Sequence, residues 1–126
     1  MRMLGQEHGF EWVKQNVKRC PISNSMDLIG KKFTVLILRN MIVYKQTRFN
    51  QFMDTIDGVN PKTLTARLRE LERNYLIGRK VYPEVPPRVE YFLTGKGMAL
   101  KPVLEQLAAF SIQNYPDQIF CRKYVG

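Results

Sequence analysis

The sequence has few of the residues that build metal centres, disulfide frameworks and catalytic sites. It contains two cysteines and one histidine, too few for a disulfide scaffold or for a set of metal ligands at recognisable spacing. It also lacks a nucleophile elbow, a phosphate-binding glycine loop, a zinc-protease motif and a paired-cysteine motif. We therefore expect no metal, no cofactor and no enzymatic activity, and we expect His8 to be a surface residue.

Long apolar runs and acidic residues are also scarce. No stretch approaches the roughly 18 apolar residues of a membrane span, and the N-terminus has no signal-peptide core, so we expect a cytoplasmic protein without a membrane partner. Twenty basic residues face 11 acidic ones, which gives a net charge of +9 and favours a polyanionic partner. Because the basic excess runs along the whole chain, charge alone does not locate the binding surface.

An amphipathic helix with its own cap is predicted from Pro61 to Asn74. Asn60 suits the N-cap, and proline suits the first turn because no backbone N–H is required there. The inward stripe follows helical spacing and consists of Leu64, Leu68 and Leu71. The opposite face is mostly basic and consists of Lys62, Ala66, Arg69 and Arg73, with Thr63, Thr65 and Glu70 beside it.

Two short β patterns follow this helix, Leu76–Tyr82 and Arg88–Leu93. The tip between them holds three prolines, which cannot donate to a sheet ladder, so we expect a stiff loop. Arg79, Lys80 and Arg88 add positive charge on both sides of the tip. A basic helix followed by a stiff basic hairpin is typical of a recognition helix with a wing. From the pattern alone, a solvated helix and an ordinary surface hairpin remain the alternative.

The motifs L-T-A-R-L-R-E-L-E and V-Y-P-E-V-P-P-R-V-E-Y-F-L-T resemble those of the HxlR-type transcription regulators, winged helix-turn-helix proteins related to the MarR group. Upstream, C-P, D-L-I-G-K-K-F and R-F-N-Q-F match the family in the same order, so the likeness spans about residues 20–110. The resemblance implies an α+β, mainly α fold with a two-stranded β wing and terminal helices that form a dimer interface. Tyr75 departs from the pattern, because glycine usually ends the recognition helix of this family.

We expect a single winged-helix DNA-binding domain over residues 1–126. The helix-turn-helix and wing are expected within 47–93, and dimerisation helices within 1–19 and 94–126. The N-terminal segment has apolar residues at helical spacing, which cover either a dimer partner or the chain's own domain. After the wing, Thr94 is predicted to cap one long helix, whose apolar stripe extends beyond what one small domain can cover. Pro102 inside that helix is predicted to bend it or to limit its first turn.

Three further helices are predicted before the recognition helix. Ser23–Ile29 should end at a glycine, and Lys32–Ile42 should be a central helix because it is apolar on nearly all sides. The β-branched residues of the second segment would also fit a strand, but its length and the resemblance favour a helix. Thr47 is predicted to cap Arg48–Ile56, the first helix of the helix-turn-helix, which ends in an Asp-Gly turn.

The candidate DNA-binding residues come from three places in this arrangement. Arg69 and Thr65 are predicted to read base edges, with Lys62, Thr63 and Ala66 beside them. Arg48, Arg67 and Arg73 are predicted to contact phosphates or to brace the helix, and Thr47 to lie near the DNA backbone. Arg88 is predicted to reach a minor groove or its phosphates from the wing.

Cys20 is the one residue with candidate redox chemistry. It follows two basic residues and precedes a proline at a predicted helix start, and both features lower a thiol pKa. The resemblance implies the same, since the family includes regulators that sense oxidants or electrophiles through an N-terminal cysteine. The alternative is a small buried hydrophobic residue. Cys121 is a candidate disulfide partner, within or between chains.

The sequence therefore predicts a homodimeric, sequence-specific DNA-binding transcription regulator on a near-palindromic double-stranded operator. A response to oxidants or electrophiles follows if Cys20 is reactive, and the sequence does not name a small-molecule effector. Two other functional hypotheses remain: a winged-helix module that binds protein, and a nonspecific nucleic-acid-binding protein.

Overall fold

The computed structural model describes residues 9–121, which form two compact units, one ending at Lys31 and the other beginning at Lys32. His8 and the last five residues therefore lie outside the described residues. The elements are α1 (Gly9–Asn16), α2 (Pro21–Ile29), α3 (Thr34–Ile42), α4 (Phe49–Thr55), α5 (Pro61–Arg73), β1 (Ile77–Tyr82), β2 (Arg88–Leu93), α6 (Gly95–Met98), α7 (Lys101–Asn114) and α8 (Pro116–Ile119). None of these helices is long and apolar enough to cross a membrane.

The first unit contains α1 and α2. Helix α2 begins earlier than predicted because Pro21 needs no N–H partner in the first turn, and it ends as predicted at Gly30, whose N–H donates to the carbonyl of Met26 at 2.7 Å. On α1, Val13 is buried, whereas Phe10 is 74% exposed. The predicted apolar stripe of this helix is thus only partly covered.

The core of the second unit is built by α3 together with the helix-turn-helix. The helix prediction for the central segment is confirmed, with the start of α3 moved to Thr34. Helix α5 packs against α4 and β1, while α3 packs against α7 and β2. The largest fully buried side chains include all three predicted leucines and are Phe52, Ile37, Leu38, Leu64, Leu68, Leu71 and Asn40. The leucine stripe of α5 therefore faces inward, as predicted.

The cap of α4 differs from the prediction. Arg48, not Thr47, is the N-cap residue, and the helix runs from Phe49 to Thr55. A guanidinium carries no acceptor, so the side chain of Gln51 supplies one: its Oε1 accepts from the N–H of Thr47 at 2.8 Å and of Arg48 at 3.0 Å. The prediction of a Thr47 cap was wrong because an amide within the helix takes over the capping role.

The wing is a two-stranded antiparallel sheet, as predicted. Ile77 lies opposite Leu93 and Tyr82 opposite Arg88, so residues 83–87 form the tip. The first strand begins one residue later than expected.

A single long helix after the wing was a wrong prediction. Thr94 Oγ1 accepts from the N–H of Gly97 at 3.1 Å and caps only the short α6. Pro102 falls in the first turn of a separate helix, α7, where its missing N–H is harmless. Pro102 thus lies at the beginning of a second helix and does not bend a single long one.

Candidate nucleic-acid interface

Helix α5 presents its basic face outward because its cap and its buried stripe fix its position and rotation. Asn60 Oδ1 accepts from the N–H of Thr63 at 2.8 Å, which confirms the predicted cap. With the leucines inward, the outer line of the helix is Lys62, Ala66, Arg69 and Arg73. The three basic residues of this line are exposed, and the alanine between them is half-buried.

The basic side chains of this outer line are not neutralised by the part of the chain that the structure describes. Among residues 9–121, no ion pair engages Lys62, Arg69 or Arg73. Exposed cations without a carboxylate partner keep their donors available for an external anion. The small Ala66 at the middle of the line allows a flat surface to approach the helix closely.

Arg67, another predicted residue of α5, stabilises the protein itself. Arg67 Nε donates to the carbonyl of Lys32 at 3.0 Å, and its Nη1 lies 3.1 Å from Glu70 Oε1. With 19% of its side chain exposed, Arg67 fits the bracing role better than a phosphate contact. Thr63 and Thr65 are half-buried on the two flanks of the helix.

The wing is joined to the start of α4 by its second strand. The N–H of Tyr91 donates to the carbonyl of Thr47 at 2.8 Å, and the Tyr91 ring lies 6.4 Å from that of Phe52. Burial, followed by the charge of Glu72, raises the pKa of Tyr91, while Arg79 and Arg69 oppose that rise. The outer line of α5 therefore lies within electrostatic reach of the wing strand.

Arg88 does not project freely from the wing. Its guanidinium lies 3.9 Å from the centre of the Tyr82 ring, and its Nη2 lies 3.4 Å from Glu84 Oε1. Its Nε lies 3.4 Å from Glu90 Oε1, an ion pair without hydrogen-bond geometry. The same Glu90 oxygen is 4.0 Å from Arg48 Nη1. Arg48 and Arg88, predicted independently, thus meet at one carboxylate.

Sequence reasoning missed the polar residues that set this geometry. Asn40 is completely buried, and its Nδ2 donates to Gln46 Oε1 at 3.0 Å and to Thr55 Oγ1 at 2.9 Å. These bonds tie α3 to the end of α4, because a buried amide needs its partners. The available signal was an amide within the apolar run T-V-L-I-L-R-N-M-I. For Glu90, the only sequence signal was its place in the alternating pattern of the second strand.

Cys20 occupies the N-cap position of α2 and is exposed, so it is not a buried hydrophobic residue. Hydrogen bonds from the backbone and side chain of Ser23, and from the backbone of Ile22, lower the pKa of its thiol. Arg19 adds the smallest lowering effect, since its guanidinium binds Asp27 and donates to Asn24 Oδ1 at 2.6 Å. The helix N-terminus, more than the basic neighbours, therefore favours the thiolate.

The remaining reactive groups form no further site. Cys121 is exposed and free, so the described residues contain two free thiols and no disulfide. In the same part of the chain, no three His, Cys, Asp or Glu side chains are grouped to hold a metal ion.

A capped helix with an outward basic line, a preceding helix packed against it and a two-stranded wing beside them define a winged helix-turn-helix protein. Residues 28–119 match the family model of the HxlR-like helix-turn-helix proteins. The chain belongs to this family.

Two relatives are similar to this chain in sequence over most of its length. The HTH-type transcriptional regulator YdeP of Bacillus subtilis is 36% identical over 117 residues, which cover 93% of this chain and 90% of that protein. The regulator sll1512 of a Synechocystis species is 48% identical over 85 residues, 68% of this chain. That match spans 62% of the relative, less than two thirds of its length. The chain is an HTH-type transcriptional regulator and not an enzyme.

A solved structure with a stated activity is also similar. The redox regulator HypR in its oxidized form superposes with a TM-score of 0.69 at 36% identity, covering 75% of this chain and 97% of that one. Its reduced form gives a TM-score of 0.70 at 35% identity, covering 75% and 93%. The chain is thus similar to a redox regulator in both of that protein's states.

Proposed function

We propose that this regulator is a cytoplasmic homodimer that binds a near-palindromic double-stranded operator through α5 and the wing. The observation that carries the proposal is the outer line of α5, where Lys62, Arg69 and Arg73 stand exposed without ion pairs among the described residues. A helix with such a line fits the major groove, where guanidinium groups read guanine edges. Arg69 and Thr65 are the proposed base readers, and Lys62, Thr63 and Ala66 lie beside them.

The proposed phosphate contacts surround this helix. Arg73 lies at its C-terminal end, while Arg48 and Thr47 lie at the start of α4, which the wing strand holds in place. Arg88 belongs to the same group, although it must first exchange its carboxylate partners for phosphate. Such contacts fix the register of the protein on the duplex and do not themselves read sequence.

The second copy in this proposal covers the apolar side of α7. No residue of that helix is buried, and its exposed apolar stripe includes Val103, Leu107 and Phe110. A groove of about 730 Å³ with a mainly apolar lining lies between α3 and α7. An uncovered apolar surface of this kind is typical of an interface. A symmetric dimer would then place two α5 helices in successive major grooves, about 34–36 Å apart.

A response to oxidants or electrophiles is the second part of the proposal. It rests on the exposed Cys20 thiol, whose pKa is lowered at the start of α2, and on the similarity to the redox regulator HypR. The thiolate is the reactive form of cysteine, so a lowered pKa favours attack on such reagents. Modification at this position would shift the adjoining segment 1–19, which we assign to the dimer interface.

The experiment is a selection of duplexes from fragments of the host genome by the purified protein. Enrichment of one near-palindromic sequence, bound by two chains, is the expected result. Binding without sequence preference but with a steep salt dependence would instead identify a nonspecific nucleic-acid-binding protein. No binding to any duplex would favour a winged helix that binds protein.

A further inference from the structure

We infer that Glu90 reduces binding to DNA of unrelated sequence by occupying two of the protein's own DNA-contacting arginines, an inference that rests on the proposed function. Its Oε1 lies 3.4 Å from Arg88 Nε and 4.0 Å from Arg48 Nη1. Its Oε2 lies 3.5 Å from the hydroxyl of Tyr82. One carboxylate thus engages a cation of the wing and a cation at the start of α4.

The backbone keeps these partners together. The N–H of Tyr91 donates to the carbonyl of Thr47. Glu90 is the residue before Tyr91 and Arg48 is the residue after Thr47, so this backbone hydrogen bond holds the two residues close together. Arg88 is two residues before Glu90 on the same strand and packs over Tyr82, with 34% of its side chain exposed. The positions of Glu90, Arg48 and Arg88 are therefore fixed by the backbone contact between the wing and the start of α4.

Carboxylate and phosphate compete for the same guanidinium groups, because both accept the forked N–H donors of arginine. While Arg48 and Arg88 remain with Glu90, they displace no counterions from DNA and add nothing to the salt dependence of binding. A fitting operator holds phosphates at fixed positions long enough to take both arginines from Glu90. On unrelated DNA the carboxylate retains them, so Glu90 widens the difference between specific and nonspecific affinity.

The size of the effect follows from the exposure of the pairs. Partly exposed ion pairs are individually weak, so removing the Glu90 carboxylate, which frees Arg48 and loosens Arg88, should change affinity by only about three- to tenfold. The slope of log affinity against log salt is the sharper signal, because each cation that gains a phosphate steepens it by about 0.9.

The test compares Glu90→Gln with the matched variant Glu84→Gln on a scrambled duplex of roughly three helical turns, with salt varied from about 50 to 200 mM. Both variants lose one wing carboxylate, but among residues 9–121 the Glu84 carboxylate pairs with Arg88 alone, which Glu90 still holds. We expect Glu90→Gln to bind the scrambled duplex about three- to tenfold tighter with a slope steeper by about 1, because it frees Arg48 while Glu84 still holds Arg88. Glu84→Gln should keep the wild-type slope. Adding Arg48→Ala to Glu90→Gln should remove about one unit of that slope.

Equal changes in both glutamine variants would mean that only net charge matters, and would overturn the role of Glu90. An unchanged slope in Glu90→Gln, on protein with an intact circular-dichroism spectrum, would overturn it as well. Glu90→Ala, which also removes the charge, gives a second measurement of the same slope. A wild-type protein that binds neither the scrambled nor the selected duplex would overturn the DNA-binding proposal itself, and Glu90 with it.

Discussion

The backbone N–H of Tyr91 donates to the carbonyl oxygen of Thr47 at 2.8 Å, so the second strand of the wing is bonded to the segment that starts helix α4. This bond makes the wing and the helix-turn-helix one surface. Arg48 follows Thr47 and Glu90 precedes Tyr91, which brings their charged groups within 4.0 Å. A substitution in the second strand of the wing can therefore alter the position of the residues that start α4.

Tyr75 should be a source of strain that glycine relieves. Its φ is 59°, and it follows α5 in a turn where the N–H of Leu76 donates to the carbonyl of Leu71 at 3.0 Å. A left-handed residue with a β-carbon costs about 1–2 kcal/mol, part of which the flexible unfolded glycine chain offsets. We expect Tyr75→Gly to raise the free energy of unfolding by about 1 kcal/mol in urea titrations at fixed protein concentration.

Tyr75→Ala is the matched control, because it removes the exposed ring but keeps the β-carbon. It should bring no gain, since the strain lies in the backbone. An equal gain from the two variants would show that the ring, which Lys96 Nζ approaches to 5.9 Å, is the source of the cost instead.

Leu107→Glu should dissociate the proposed dimer. Leu107 is 51% exposed on α7, in the apolar stripe that we assign to the second copy. A carboxylate buried there without a partner costs several kcal/mol, so the variant should elute as a monomer in light-scattering chromatography. Gln106→Glu adds the same charge at the neighbouring exposed position and should leave the dimer intact. If wild type is already monomeric at micromolar concentration, the stripe has a different partner.

Cys20 should react as a thiolate at lower pH in the folded protein than in the unfolded chain. The folded state lowers the pKa of this thiol, so its thiolate contributes stability above the unfolded pKa that is lost as pH falls through the folded pKa. In a Cys121→Ser background, the alkylation rate should reach half its maximum at lower pH in native buffer than in urea. Equal midpoints would contradict the effect of the helix N-terminus.

The same cysteine can be tested for sensing. Diamide or a quinone should weaken operator binding by wild type and not by Cys20→Ser, because only the wild type carries the activated thiol. Loss of binding by both proteins alike would leave Cys20 without a sensing role.

Local features of the sequence predicted most of the fold. Asn60 and Pro61 predicted the start of α5, and the three leucines predicted its buried face, since caps and periodicity act over a few residues. Thr47 was the wrong cap because the helix begins one residue later, where the Gln51 side chain accepts from the N–H groups of Thr47 and Arg48. Pro102 carried the correct alternative, a limited first turn, but the sequence alone did not show that the helix would restart there.

The candidate site was less predictable than the fold. The outward line of α5 follows from helical geometry, whereas the partners of Arg67 and Arg88 depend on tertiary contacts. Lys32 is 35 positions away from Arg67, and no local pattern links the two. The meeting of Arg48 with Glu90 likewise requires the wing to fold back on α4.

We propose that the outer line of α5 reads DNA sequence, and the decisive variant is Arg69→Ala. Arg69 is exposed and has no ion-pair partner among residues 9–121, so its loss should not harm folding. We expect Arg69→Ala to weaken binding to the selected operator by about 1–3 kcal/mol and to relax preference at one base position in each half-site. An unchanged footprint and an unchanged affinity for that operator would contradict it.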